Sequence, residues 1–149
     1  MTDDDPHHLA RFLVAQDEAC GGITTFDQAM REVRAGEKVS HWMWFIYPQL
    51  RALSRSTTAR HFGIADLHEA RAYWDHPILG VRLREAVRAT LASGKREAVG
   101  IFGNIDAIKL RSCLTLFLAV NPEDSDLLAV LDYFYDAVRD PLTTTALGS

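Results

Sequence analysis

The chain has 149 residues, of which 48% are hydrophobic and 24% charged, and a formal net charge of −4. That length suits one domain able to bury about 70% of the surface its unfolded chain would expose, and the composition is that of a packed globular protein. Net acidity argues against a protein that holds nucleic acid through general electrostatics, two cysteines exclude a disulfide framework, and the longest apolar run, residues 113–120, is far short of the ~20 residues that span a bilayer.

In chain order, residues 1–6 read as a loose polar start, as do residues 148–149 at the other end of a single domain spanning 1–149. Leu9, Phe12, Leu13 and Gln16 make one face of a short helix over about 7–19, stopped by Gly21-Gly22. Thr25 with Gln28 reads as a capping box opening a helix through Phe26, Ala29, Met30 and Val33, and Gly36 stands where a C′ glycine belongs. Residues 41–46 form either a short helix or an extended segment, because they are apolar on every side and periodicity cannot decide. Pro48 biases Tyr47 away from helix, and a loop then leads to a brief turn near 59–62. Asp66 and Glu69 form a second capping box, starting a helix through Leu67, Ala70, Tyr73 and Trp74 that stops before Pro77.

Pro77 suits the first position of the next helix, with Asp75 or His76 as its cap. Leu79, Leu83, Ala86, Val87 and Leu91 recur there at helical spacing, and Gly94 ends it. A short element over 97–101 precedes Phe102-Gly103. Asn104 or Asp106 then caps a helix with Ile105, Ile108, Ser112 and Leu116 on one side and Leu114, Phe117 and Leu118 elsewhere. A helix apolar nearly all round is a buried one. Pro122 separates it from an amphipathic helix carrying Leu127, Leu128, Leu131, Phe134, Tyr135 and Val138. Asp140-Pro141 breaks that helix, and residues 142–147 add a docking turn. The expected fold is all-α: a single compact domain of six to seven helices around a central buried helix near 105–120, with no strand. Cys20 and Cys113 read as free thiols, and the absence of a basic-then-apolar leader points to the cytoplasm.

The most distinctive stretch is Ser40-His41-Trp42-Met43-Trp44-Phe45-Ile46-Tyr47-Pro48-Gln49. It is too aromatic to stay in water, yet it carries an imidazole, two indole N–H groups, a phenol and an amide that need partners. With Gly36-x-Lys38 before it, this run resembles the signature of the bacterial family known as domain of unknown function 1810 (DUF1810). Four further pieces carry the same resemblance: Phe12-x-x-Ala15-Gln16, His76-Pro77-x-Leu79-Gly80-x-Arg82-Leu83, Ile101-Phe102-Gly103, and Lys109-Leu110-Arg111-Ser112 running on to Thr115-Leu116-Phe117. The sequence departs from the family at Cys113-Leu114, where Ser-Met is usual, and in an inserted-looking segment over 20–25 that lengthens a loop. The resemblance implies a compact helical fold and no established activity. Members have been labelled calpain inhibitors, but such inhibitors are disordered and this composition is not.

Several residues have the chemistry for a site. His41 is either a general base, its reference pKa of ~6.5 lying near working pH, or a buried imidazole bonded to backbone carbonyls. Trp42, Trp44 and Tyr47 either stack on a flat ligand or fill the core. Gln49, held extended after Pro48, either points into a cleft or satisfies a loop. Lys109 and Ser112, three apart, share a face of the central helix; a lysine there needs an anion or a carboxylate such as Asp106, or it acts as the base of a Ser/Lys dyad. No His-x-x-x-His, Cys-x-x-Cys or phosphate-binding glycine loop occurs, so no metal or cofactor is expected.

Two readings follow. In the first, Ser40, His41, Trp42, Trp44, Tyr47, Gln49, His76, Lys109 and Ser112 line a pocket for a small anionic, nucleotide-like or ADP-ribose-like ligand, with His41, Lys109 and Ser112 as the candidates should catalysis occur. The all-helical class with a lysine on its central helix is also similar, at the level of fold analogy, to the ADP-ribose-associated NADAR family. In the second, the chain is a non-enzymatic interaction or scaffold protein and the aromatic run is simply core. Neither a nucleic-acid nor a membrane partner is expected, and nothing in the sequence specifies an oligomeric state.

Overall fold

Helix-end chemistry sets most of the boundaries in the computed structural model, which describes residues 5–148. Among these residues there are nine α-helices: α1 Ala10–Asp17, α2 Thr25–Ala35, α3 Met43–Ile46, α4 Thr57–His61, α5 Leu67–Asp75, α6 Leu79–Ala92, α7 Ala98–Val120, α8 Ser125–Tyr135 and α9 Pro141–Ala146. Three of them, α3, α4 and α9, are only four to six residues long, so the count exceeds the expected six or seven because short turns close into helix. The fold is a single, mostly helical domain, as the sequence implies.

Capping explains where the helices begin and end. Asp5 receives the N–H groups of Leu9 and Ala10 on its carboxylate (2.6 and 2.8 Å), so the chain is already held there; of the ends expected to be loose, residues 1–4 and 149 lie outside the described residues. The cap of α2 is Thr24, one residue before the expected Thr25, and its hydroxyl accepts from the Asp27 N–H. Gly36 closes α2 in the left-handed conformation (φ 80°) as expected. Asp66 caps α5 through the Glu69 N–H (3.0 Å), but the Glu69 carboxylate reaches back to the Ala65 N–H instead of completing the box. Pro77 is not the first position of α6, which begins at Leu79 with Ile78 as its cap; Pro77 and Ile78 form a turn, and the His76 Nδ1 accepts across it from the Ile78 and Leu79 N–H groups at 3.1 Å each.

Further expectations are corrected. The segment over 20–25 is not a mere loop: Ala19–Cys20 (β1) and Ile23–Thr24 (β2) pair antiparallel around Gly21 and Gly22, both at positive φ. Two glycines between paired residues are what a tight two-residue hairpin demands. Within α7 the backbone breaks at Gly103 (φ 82°, ψ 171°), a conformation open essentially to glycine alone, so the short element before it and the central helix after it are two helical runs, as the sequence implies. Finally, Ile105 and Ile108 are 72% and 59% exposed rather than buried, and α8 stops at Tyr135, leaving Val138 half exposed.

From Ser112 to Leu118 α7 is enclosed. Leu110, Leu114, Leu116 and Phe117 are fully buried, packed against α5, α8 and α9. Phe117 stacks on Trp74 and tilts against Tyr73, which takes Phe12 edge-on at 5.0 Å. Gly80 allows α6 to cross close to α5, since a Cβ there would stand 2.0 Å from the Trp74 carbonyl oxygen. One buried ion pair, Arg11–Glu69 at 2.5 Å, is fully satisfied: Arg11 also donates to the carbonyls of His7, His8, His61 and Gly63. It fastens the far end of α4 to α1 and α5.

Candidate functional site

The aromatic run divides between core and surface. Trp42 and Tyr47 are 0% and 1% exposed. The Trp42 indole N–H donates to Glu32 (3.0 Å), and the Tyr47 hydroxyl donates to the Ala86 carbonyl (2.7 Å). Glu32 organises the whole approach to the run. Its carboxylate also accepts from the Val39 and Ser40 N–H groups, the Ser40 hydroxyl and the Gln28 amide. Burial alone would raise the Glu32 carboxyl; the hydrogen bonds from Ser40, Gln28 and Val39 outweigh it and hold the pKa down to about 2. Ser40 and Trp42 are therefore committed to an internal carboxylate, and His41 between them is exposed.

Trp44 and Gln49 are only partly buried and line one small depression with Met43 and Tyr47. Ala59 of α4, with Phe62 and Gly63 just after it, forms its opposite wall, and Lys109 enters from α7. The depression holds about 10 Å³, room for one water-sized group. The Lys109 ammonium lies 5.4 Å from the Trp44 ring centroid, within cation–π reach.

Asp106 is the carboxylate partner of Lys109, at 3.4 Å, but it is not Lys109's alone. Lys38 takes its other oxygen at 3.0 Å and sits over the Trp42 ring at 5.1 Å. Both lysines are largely covered, Lys38 being 10% and Lys109 24% exposed at the side chain, with Asp106 at 17%. Two cations thus share one carboxylate, and the cluster carries one positive charge beside the half-covered Trp44. Lys38 also spans the break in α7, since its backbone N–H donates to the Ile101 carbonyl (2.8 Å) while its ammonium reaches Asp106 beyond Gly103.

The remaining candidates lie elsewhere. Ser112 has its hydroxyl 3.0 Å from Asp140 Oδ2 and 3.3 Å from the Ile108 carbonyl, in a buried knot where Asp140 also receives the Thr143 N–H and hydroxyl. Among the described residues no hydrogen bond joins it to Lys109, and its hydroxyl is engaged with Asp140 and the Ile108 carbonyl instead. His76 borders a separate groove of about 400 Å³ between the start of α1 and α5, lined by Leu9, Ala10, Leu13 and Ala72 among others. The arrangement therefore brings Trp44, Tyr47, Gln49 and Lys109 together, and leaves Ser40, His41, Trp42, His76 and Ser112 off that surface. Among the described residues no group of three or more His, Cys, Asp or Glu could hold a metal ion, and no helix is long and apolar enough to cross a membrane. Cys20 is exposed and Cys113 buried, both as free thiols.

Comparison with known proteins places this geometry in a family. The family model described as "Protein of unknown function (DUF1810)" matches residues 6–147. A solved structure, the conserved hypothetical protein Rv1873 from Mycobacterium tuberculosis, is 38% identical and superposes with a TM-score of 0.90 over 97% of this chain and 99% of that one. No protein with a curated description matches. The chain belongs to the DUF1810 family.

Proposed function

We propose that this DUF1810 protein is a small-molecule-binding domain whose ligand places an anionic group at Lys109 and a flat group against Trp44. One observation carries the reading: two mostly covered lysines, Lys38 and Lys109, divide a single carboxylate between them beside a partly exposed indole. A covered excess cation is costly unless an anion completes it. The Gln49 amide in the same depression adds a directional hydrogen-bonding group. Because the depression admits only one small group, the rest of the ligand lies across its mouth. A nucleotide or ADP-ribose-like molecule has both parts, a charged group and a flat ring. No catalytic step is assigned, since His41 stands outside the depression and Ser112 is held by Asp140. Two unpaired thiols support a reducing, cytoplasmic setting.

The test is a thermal-shift screen against nucleotides, NAD derivatives and sugar phosphates. A ligand at 100 times its Kd adds about 2.7 kcal/mol of stability, and Lys109→Met should remove the shift. A shift kept by that variant, or no shift with any compound, would overturn the proposal. The alternative, an interaction or scaffold protein, draws on Ile105 and Ile108, which stand exposed on α7 beside Asp106 and Lys109. It predicts loss of a protein partner on Ile108→Glu and no small-molecule response.

A further inference from the structure

Seven of the eight residues lining the depression come from one stretch of chain, between Met43 and Gly63. Around that stretch, from Lys38 to Ala65, the sequence contains no aspartate or glutamate, yet it holds Lys38, Arg51, Arg55 and Arg60 as well as His41 and His61. This is a strongly basic segment in a chain whose net charge is −4. The carboxylates that follow it are already engaged. Asp66 caps α5, and Glu69 takes Arg11 and the Ala65 N–H.

Local structure sets Arg51 against the wall of the depression and Arg60 next to it along the chain. Residues 49–51 run beside Ile64: the Ile64 N–H donates to the Gln49 carbonyl (2.9 Å) and the Arg51 N–H donates to the Ile64 carbonyl (2.8 Å). Arg51 is thereby pressed against Gly63, where an added Cβ would lie 2.5 Å from the Arg51 Cα. Arg60 directly follows Ala59, and both Ala59 and Gly63 line the depression. Arg55 belongs to the turn closed by the Ser54 hydroxyl on the Ala59 carbonyl (3.2 Å). All three arginines are exposed, and among the described residues none of them forms an ion pair. Arg11 pins the end of this segment through the His61 and Gly63 carbonyls, so its position is set without the charges of Arg51, Arg55 and Arg60.

We infer that the ligand is multiply charged, a diphosphate-bearing small molecule with one phosphate at Lys109 and the next on the rim carrying Arg51, Arg55 and Arg60. This rests on the proposed anion site and names its ligand class. A guanidinium fork matches phosphate oxygens, and a lone carboxylate ligand would leave three exposed guanidinium groups without a role.

The test is isothermal titration of the full chain with inorganic phosphate and with pyrophosphate at fixed ionic strength. Pyrophosphate should bind about tenfold tighter or more, a difference of about 1.4 kcal/mol. The triple variant Arg51→Gln, Arg55→Gln, Arg60→Gln should bring the two within about threefold of each other while keeping phosphate binding, and its unchanged melting temperature would show that it folds. Lys109→Met should lose both. Equal affinity for the two anions in the wild-type chain overturns the diphosphate inference and leaves the single-anion site standing. A pyrophosphate preference that survives the triple variant also overturns it, and binding of neither anion removes both readings. A single-stranded RNA oligomer bound more tightly than pyrophosphate at the same salt would overturn it in favour of a nucleic-acid backbone.

Discussion

Lys38, Lys109 and Asp106 offer a test in which the geometry fixes the order of the outcomes. Replacing Lys109 with methionine removes the longer of the two ion pairs, 3.4 Å, from a side chain that is 24% exposed. Asp106 keeps Lys38 at 3.0 Å. The pair lost is thus partly solvated and its partner stays neutralised, so unfolding free energy should change by no more than about 1 kcal/mol in either direction. Lys38→Met removes the shorter pair from a side chain only 10% exposed, together with the cation over Trp42, and should cost about 1–3 kcal/mol. The double variant strands Asp106, 17% exposed, without a counter-charge. It should cost about 3 kcal/mol or more, exceeding the two single losses added together, because either lysine alone suffices to neutralise the carboxylate. Adding Asp106→Asn to the double variant should recover much of that loss. Urea unfolding at pH 7 and low salt reads all of these. Strictly additive losses, or a Lys109→Met variant that alone loses about 3 kcal/mol, would show that Lys109 is Asp106's main structural partner. The spare cation, and the anion site built on it, would then be wrong.

Three further outcomes follow from the same physics. The Glu32 carboxyl is depressed in the fold from its ordinary 4.5 to about 2; its contribution is fully present above about 4.5 and is lost as pH falls through about 2, a loss of up to about 3 kcal/mol that a Glu32→Gln variant should not show in an acid-unfolding series. Gly103→Ala should cost about 1–3 kcal/mol from backbone strain alone, because a Cβ there meets nothing within 4 Å; an unchanged urea midpoint would mean that the break in α7 is not fixed. Burial pushes the Cys113 thiol far above its ordinary range, so a thiol reagent should label Cys20 in the native protein and Cys113 only on unfolding.

Much of the helical frame was legible because its signals are local. Gly36, Asp66, Pro77 and Gly94 punctuate the chain whatever lies across the core, and the 3.6-residue spacing of Leu79, Leu83 and Val87 needs no partner to be recognised. Gly103 is legible as a boundary, since its non-helical conformation divides α7 into a short run before it and a long one after it. The errors are of two physical kinds. Gly21-Gly22 has the chemistry of a helix stop and is also a hairpin turn, a local signal with two meanings. The exposed Ile105 and Ile108 show tertiary packing overriding pattern: apolar residues on a central helix need not face inward near its end.

The candidate site was less legible because satisfaction of polar groups is a long-range matter. Glu32 lies on the helix with Phe26, Ala29, Met30 and Val33, and nothing in its spacing announces that it gathers five donors, four of them from residues 39–42. Once it does, the hydrogen-bonding capacity of Ser40 and Trp42 is used up inside the protein, as Ala86 uses up Tyr47 and Asp140 uses up Ser112. A polar group bound internally cannot also recognise a ligand without leaving a buried partner unsatisfied, at about 1–3 kcal/mol each. The part of the aromatic run left for recognition is therefore the part the fold does not already hold, Trp44 and Gln49, and the cation beside them is the one whose carboxylate Lys38 already neutralises. Lys38 is the residue a reading by motif passes over: it stands in the same signature, two positions before Ser40, but its meaning comes from Asp106, 68 residues further along the chain.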